Sequence, residues 1–154
     1  MKVFLKYFTL FSIGALLYMW IETWYKASYG AVTHWSMGLV GGICFILIGL
    51  IDNTYEMPLY KQMFVGAIII TSCEFISGVI VNMWLGLNVW DYGSFKFNIL
   101  GQVCLEFFFI WYFISLPAIL LDDFIRAFIF GEPYKHYTFF RDKNHAMHAL
   151  KKKV

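Results

Sequence analysis

Charge is what this chain has least of. Only 14% of its 154 residues are Asp, Glu, Lys or Arg, against about 25% in an ordinary soluble domain. Prolines number three, so long helices meet few breaks. The three cysteines, Cys44, Cys73 and Cys104, lie inside apolar runs at no metal-ligand spacing. They read as buried structural thiols, not as a disulfide framework or a metal site. There is no G-x-x-x-x-G-K-[ST] loop, no H-E-x-x-H and no G-x-S-x-G. None of the four histidines falls inside an apolar run long enough to cross a membrane, so a haem held between helices is not expected. These absences exclude a soluble enzyme and an ordinary nucleic-acid binder. No cofactor, metal or catalytic residue is assigned, and the chain is expected not to be an enzyme.

What is present is apolar and aromatic surface: 60% of residues are hydrophobic and 21% aromatic. A chain this short cannot bury so much apolar surface in water. Four segments, 7–24, 35–51, 63–85 and 99–121, have the length and composition to cross a hydrocarbon core of roughly 30 Å. The first has a basic start in Lys2 and Lys6 but no convincing small-residue cleavage site, so it is expected to be a retained helix. The predicted fold is all-α: a polytopic membrane protein of four transmembrane helices plus a C-terminal amphipathic interfacial helix. That last helix is expected over 122–130, where Leu121, Phe124, Ile125, Phe128 and Ile129 recur at helical spacing beside Asp122, Asp123 and Arg126. Pro117 is expected to kink the preceding span, and Gly131 and Pro133 to end the helix. Residues 1–131 then form the transmembrane domain and 132–154 a basic aromatic tail.

The distribution of charge orients the bundle. Lys2, Lys6, Lys61, Arg126, Lys135, Arg141, Lys143 and Lys151 to Lys153 fall on the side of the termini, and only Lys26 and Lys96 on the other. The positive-inside rule places both termini in the cytoplasm, and a plasma or inner membrane is the expected location. Trp20, Trp24, Trp35, Trp84 and Trp90 cluster toward the opposite side, as an outer aromatic belt. The tail suits anionic lipid. Gly38 and Gly42, a Gly-xxx-Gly pair, suit close contact with a second copy or with a partner membrane protein.

Polar residues inside apolar spans carry the functional signal, because a charge exposed to lipid costs at least about 2.5–3.5 kcal/mol. Thr71, Glu74, Gly78 and Asn82 form one stripe on the third span. Asn98, Gln102 and Glu106 recur every fourth residue at the outer end of the last. Glu22 lies near the outer end of the first span, and the 86–98 loop adds Trp90, Asp91 and Tyr92. His34 is expected to be interfacial. The candidate ligand-binding set is Glu22, Glu74, Asn82, Trp90, Asp91, Tyr92, Asn98, Gln102 and Glu106. It would line an outward-facing cavity for a polar or cationic solute. The alternative is a non-catalytic scaffold, assembly or regulatory subunit, in which the same groups only hold helices together.

One stretch carries a resemblance. From Asn88 to Leu105 the chain reads N-V-W-D-Y-G-S-F-K-F-N-I-L-G-Q-V-C-L. It resembles the family of putative type IV ABC-transporter permeases (CmpB-like), which includes small four-helix vertebrate transmembrane proteins. That family's W-D-Y and F-N-x-x-G-Q-x-C-L elements fall on Trp90, Asp91, Tyr92, Phe97, Asn98, Gly101, Gln102, Cys104 and Leu105. The stretch from His34 to Asp52 and the E-F-x-x-G-x-x-x-N from Glu74 to Asn82 are similar too, so the likeness covers most of residues 10–125. The resemblance implies a membrane-embedded helical bundle and a permease subunit. Because this sequence holds no ATPase motif, a permease role implies a partner or an oligomer.

Overall fold

The computed structural model describes residues 2–54, 57–133 and 137. Apart from Glu132, Pro133 and Tyr137, the expected basic aromatic tail lies outside the described residues. Four helices make up most of the fold: α1 (Lys2–Ala27), α2 (Ser36–Thr54), α3 (Leu59–Gly78) and α4 (Leu105–Phe130). A six-residue π-helical stretch, Val79–Trp84, prolongs α3. A small antiparallel hairpin, β1 (Asn98–Ile99) with β2 (Val103–Cys104), precedes α4 and pairs Asn98 with Cys104 and Ile99 with Val103. Helix α1, α3 with its extension, and α4 run 26 residues each and are long and apolar enough to cross a membrane. At 1.5 Å per residue each is about 39 Å long. Helix α2 contributes a shorter apolar stretch, Ser36–Ile51.

The bundle turns apolar side chains outward and polar ones inward. Leu39, Ile43, Leu47 and Leu50 expose one stripe of α2, Phe64 and Ile68 one of α3, and Phe109, Phe113 and Leu120 one of α4. Glu74, Gln62, Ser115, Asp122, Asp123 and Arg126 are buried. That inversion is what a hydrocarbon solvent selects, since polar groups must find partners inside the protein.

Glycines set the helix contacts. A Cβ on Gly14 would lie 2.3 Å from the Phe45 Cβ, and one on Gly41 would lie 2.2 Å from the Tyr18 Cβ. The same added Cβ atoms would each lie 3.0 Å from the other glycine's carbonyl oxygen, so α1 and α2 meet backbone to backbone. Gly38 packs against Met19 and Gly42 against Phe11, both on α1. The Gly38/Gly42 face, expected to remain available to another chain, is therefore used within this one. Gly66 of α3 receives Ser115 of α4 in the same manner. A core of Val40, Cys44, Ile48, Met63, Ala67, Ile70, Phe107, Trp111 and Ile119 fills the space between α2, α3 and α4.

Two expected boundaries move. Helix α4 begins at Leu105, not at residue 99, because 98–104 folds into the hairpin. Phe97, Leu100 and Gly101 have φ of 52°, 54° and 67°, a left-handed run that no α-helix accommodates. The Asn98 side chain accepts the Gly101 N–H at 3.1 Å and fixes that turn. At the other end, 122–130 is the last part of α4 and not a separate element. Its polar residues Asp122, Asp123 and Arg126 are buried while Phe124, Phe128 and Ile129 are exposed. The amphipathic spacing therefore reflects a polar face turned into the bundle.

Candidate functional site

Glu74 sits in the third of the described helices and is only 2% exposed. Two helices supply its partners. The Tyr18 hydroxyl of α1 donates to Oε1 at 2.6 Å, and the Trp111 indole N–H of α4 donates to Oε2 at 2.8 Å. The two rings stack on each other with centroids 5.6 Å apart. One carboxyl group thereby joins three helices, and each oxygen keeps a further lone pair.

Glu74 also stands in the wall of a cavity of about 490 Å³, within the range of roughly 300–1,000 Å³ usual for ligand sites. The cavity runs between α1 and α4 over a floor of α2. Gly14, Leu17, Tyr18, Ile21 and Glu22 line it from α1, Cys44, Phe45 and Ile48 from α2, and Phe107, Ile110, Trp111, Ile114, Ala118 and Leu121 from α4. Most of that surface is apolar. Its rim includes Leu17, Trp24 and Ile110, which are exposed on the outer face of the bundle. The space is a lateral crevice.

Polar groups gather where the crevice approaches the 85–104 loop. Lys26 Nζ pairs with Glu22 Oε1 at 2.7 Å and donates to the Val89 carbonyl at 3.0 Å. The second carboxyl oxygen, Glu22 Oε2, is buried with no hydrogen-bond partner. Around them stand aromatic rings: Tyr25 meets Phe107 edge-on at 5.6 Å, and Tyr92 stacks on Phe107 at 4.5 Å. Burial pushes the Tyr92 phenol well above its ordinary range, so it remains a neutral hydroxyl.

The other expected site residues do different work. Asn82 donates to the Trp90 carbonyl at 3.0 Å and to Gln102 Oε1 at 2.8 Å, and accepts the Val89 N–H at 2.6 Å. Trp90 donates its indole N–H to the Gln102 carbonyl at 2.9 Å. These bonds fasten the loop onto the end of α3. Asp91 accepts the Gly93 N–H at 2.7 Å in an exposed turn. Asn98 donates to the Phe95 carbonyl at 2.8 Å. Glu106 is exposed in the first turn of α4. Of the nine, Glu22, Glu74, Trp90 and Tyr92 line the crevice; Asn82, Asp91, Asn98 and Gln102 shape the loop above it, and Glu106 joins neither group. The even spacing of Asn98, Gln102 and Glu106 does not make one helical face, because the hairpin separates the first two from α4. His34 is half-buried, bonded through Nδ1 to Ser36 Oγ at 2.8 Å, where α2 starts.

Sequence reasoning missed three members of the site: Tyr18, Lys26 and Trp111. Tyr18, Glu22 and Lys26 follow at steps of four on α1 and so share one face of that helix, a spacing legible in the sequence. Trp111 is the one tryptophan of six that does not fall near an expected outer membrane face. A ring with an N–H at that depth needs a buried acceptor.

At the opposite end of the bundle a second polar group joins the start of α1 to the end of α4. Lys6 donates to Glu132 Oε1 at 2.6 Å, Arg126 lies 3.7 Å from Glu132 Oε2, and Arg126 also pairs with Asp122. Tyr137 donates to Asp123. Asp122 packs directly onto Gly49 of α2.

A helical bundle with an apolar exterior, a buried carboxyl group that joins three helices and a lateral crevice defines an integral membrane protein. The chain belongs to the family described as "Putative ABC-transporter type IV", whose model matches residues 9–138, and it is thus a transporter-related membrane protein. No curated protein and no solved structure matches it.

Proposed function

We propose that the protein is a transporter-type membrane subunit that binds an amphipathic solute, with an apolar body and a polar or cationic end, in the crevice between α1 and α4. The observation that carries this reading is the crevice itself, apolar along its length but with carboxyl groups at two depths. Tyr18, which holds Glu74, precedes Glu22 by four residues, about 6 Å of rise along α1. A polar group engaged at Glu22 has a second acceptor one turn deeper, as a permeation route requires. Trp90 and Tyr92 close the loop end, while Asn82, Asp91, Asn98 and Gln102 keep them in position.

In this reading α2 is the fourth span. Its 19 residues extend about 28 Å, and its exposed leucine and isoleucine stripe faces lipid. Residues 1–131 form one transmembrane domain, and the last turns of α4 reach the inner surface. Both termini lie in the cytoplasm, because the basic residues concentrate there. The protein resides in a plasma or inner membrane, and its basic tail rests on anionic lipid. An ATPase partner or a second copy completes the transporter.

Native mass spectrometry of the protein released from its own membrane in a mild detergent tests the reading. The expected result is a bound amphiphile that is lost from the Glu22→Gln/Glu74→Gln double variant. A bare chain, or one carrying only another protein, would overturn it in favour of a scaffold.

A further inference from the structure

The crevice opens onto the apolar outer surface of the bundle. Leu17, Trp24 and Ile110 on its rim belong to the same exposed apolar surface that faces the bilayer. From Phe107 to Leu121 its α4 wall covers fourteen residue steps, or about 21 Å. One leaflet of a hydrocarbon core is about 15 Å deep. A molecule already dissolved in that leaflet reaches the crevice sideways, with its chain parallel to the helices and its head at the loop end.

The head end has a specific complement. Glu22 Oε1 is taken by Lys26, whereas Oε2 is buried and unpartnered, an acceptor awaiting a donor hydrogen. Lys26 uses two of its three donors, on Glu22 and on the Val89 carbonyl, which leaves one for an anionic oxygen. An acceptor and a donor within one ion pair match a head that carries both an N–H-bearing cation and a phosphate. A quaternary ammonium would find aromatic faces here, but it has no hydrogen to give to Glu22 Oε2.

Resting on the amphipathic-solute reading, we infer that the crevice holds one acyl chain of a zwitterionic phospholipid whose primary-ammonium head donates to Glu22 and whose phosphate accepts from Lys26. The ligand class is phosphatidylethanolamine. Its second chain stays in the bilayer outside the rim formed by Leu17 and Ile110.

The full chain is purified by exchange into mixed micelles containing equal amounts of palmitoyl-oleoyl phosphatidylethanolamine and phosphatidylcholine, and retained lipid is read by native mass spectrometry. The wild type is expected to keep the ethanolamine lipid at least fivefold over the choline lipid. Glu22→Gln is expected to bring that ratio close to one. Because this change also unpairs Lys26, Ile110→Trp serves as a second variant. Ile110 is exposed, so the fold accommodates the change, and the indole narrows the mouth and is expected to lower retention of both lipids several-fold. Equal retention of the two lipids by the wild type would overturn the headgroup assignment and leave an amphipathic solute standing. Retention unaltered by Ile110→Trp would place the lipid outside the crevice. Retention of neither lipid, while an amphiphile of another mass comes through extraction from the native membrane, would overturn this inference alone.

Discussion

Trp111 gives its indole N–H to Oε2 of Glu74 at 2.8 Å, across the interface of α3 and α4. Tyr18 of α1 occupies the other oxygen. The carboxyl group is therefore a node of packing as well as a polar step in the crevice wall, and substitutions can separate the two roles. In Glu74→Gln the amide oxygen still accepts from Trp111 while the amide N–H₂ donates to the Tyr18 oxygen. Folded yield should stay near wild type, with a loss of about 1 kcal/mol. Trp111→Phe leaves a buried carboxyl oxygen without its donor and should lose more, about 2–3 kcal/mol including the packing. Thermal unfolding of the two variants in the same detergent checks the order. A Trp111→Phe variant as stable as Glu74→Gln would contradict the role given to that bond.

Asn82 supports the loop by three bonds, to the Val89 N–H, the Trp90 carbonyl and Gln102 Oε1. Replacing it with Ala strands all three partners. Asn82→Ala should cost about 2–3 kcal/mol and should raise amide exchange throughout 85–104 while α1 and α2 remain protected. Because Gln102 belongs to the same network, Asn82→Ala and Gln102→Ala should cost clearly less together than the sum of the two. Hydrogen exchange by mass spectrometry reads the first effect and a double-mutant cycle the second. Additive losses would mean that the two side chains hold the loop independently.

What was legible in the sequence follows from which physical signal each feature leaves. Long apolar runs report helices that meet lipid, so α1 and α3 with its extension are visible to within about five residues, whereas α4 differs at both ends, starting at Leu105 and running on through 122–130. Asn98 to Cys104 was misread because residues four apart also suit a helix. The competing signal was local: Asn98 and Gly101 bracket a turn that needs left-handed backbone at Leu100 and Gly101. Glu74 stood out because a midplane acid must have partners. Its partners did not, since Tyr18 and Trp111 count as apolar bulk in composition and reveal their donors only when helices are brought together. The glycines of α2 show the same limit. Their spacing announces close helix contact but not whether the contact is with α1 or with another chain.

Gly41 decides how close α1 and α2 can come. The Cβ of an alanine there would stand 2.2 Å from the Tyr18 Cβ and 3.0 Å from the Gly14 carbonyl oxygen. Neither atom is the free end of a flexible side chain, so the helices must separate. Gly41→Ala should destabilise the bundle by about 1–3 kcal/mol and shift Tyr18 away from Glu74. Gly131→Ala makes a different comparison: no atom stands near its Cβ, but its φ of 68° resists a side chain, so it should cost about 1 kcal/mol without disturbing the α1–α2 contact. Thermal unfolding ranks the two, and the fluorescence of the Trp111–Tyr18 pair should change in the first variant only. Equal effects on that fluorescence would remove the steric argument.

The pairing of Lys6 with Glu132 ties the start of α1 to the end of α4 and makes part of the stability depend on pH. The Lys6 ammonium, with Arg126 assisting, holds the Glu132 carboxyl below the ordinary carboxylate range. A carboxyl group depressed in the folded state contributes fully above its unfolded value, about 4.3, and loses that contribution as pH falls through the lower folded value. The side chains are 20% and 31% exposed, so the contribution at neutral pH is modest, about 1 kcal/mol or less. Glu132→Gln should therefore be slightly less stable than wild type from pH 7 down to about pH 5, and the two should converge as the carboxyl protonates below about pH 4. Lys6→Met should behave likewise, because it removes the same attraction from the other side. Unfolding curves across this range, at low salt where screening is weakest, provide the measurement. A gap between wild type and Glu132→Gln that widens toward acid would have the wrong sign for a depressed carboxylate, and the link between α1 and the end of α4 would then have to rest on packing of Leu10 against Phe45 and Ile125.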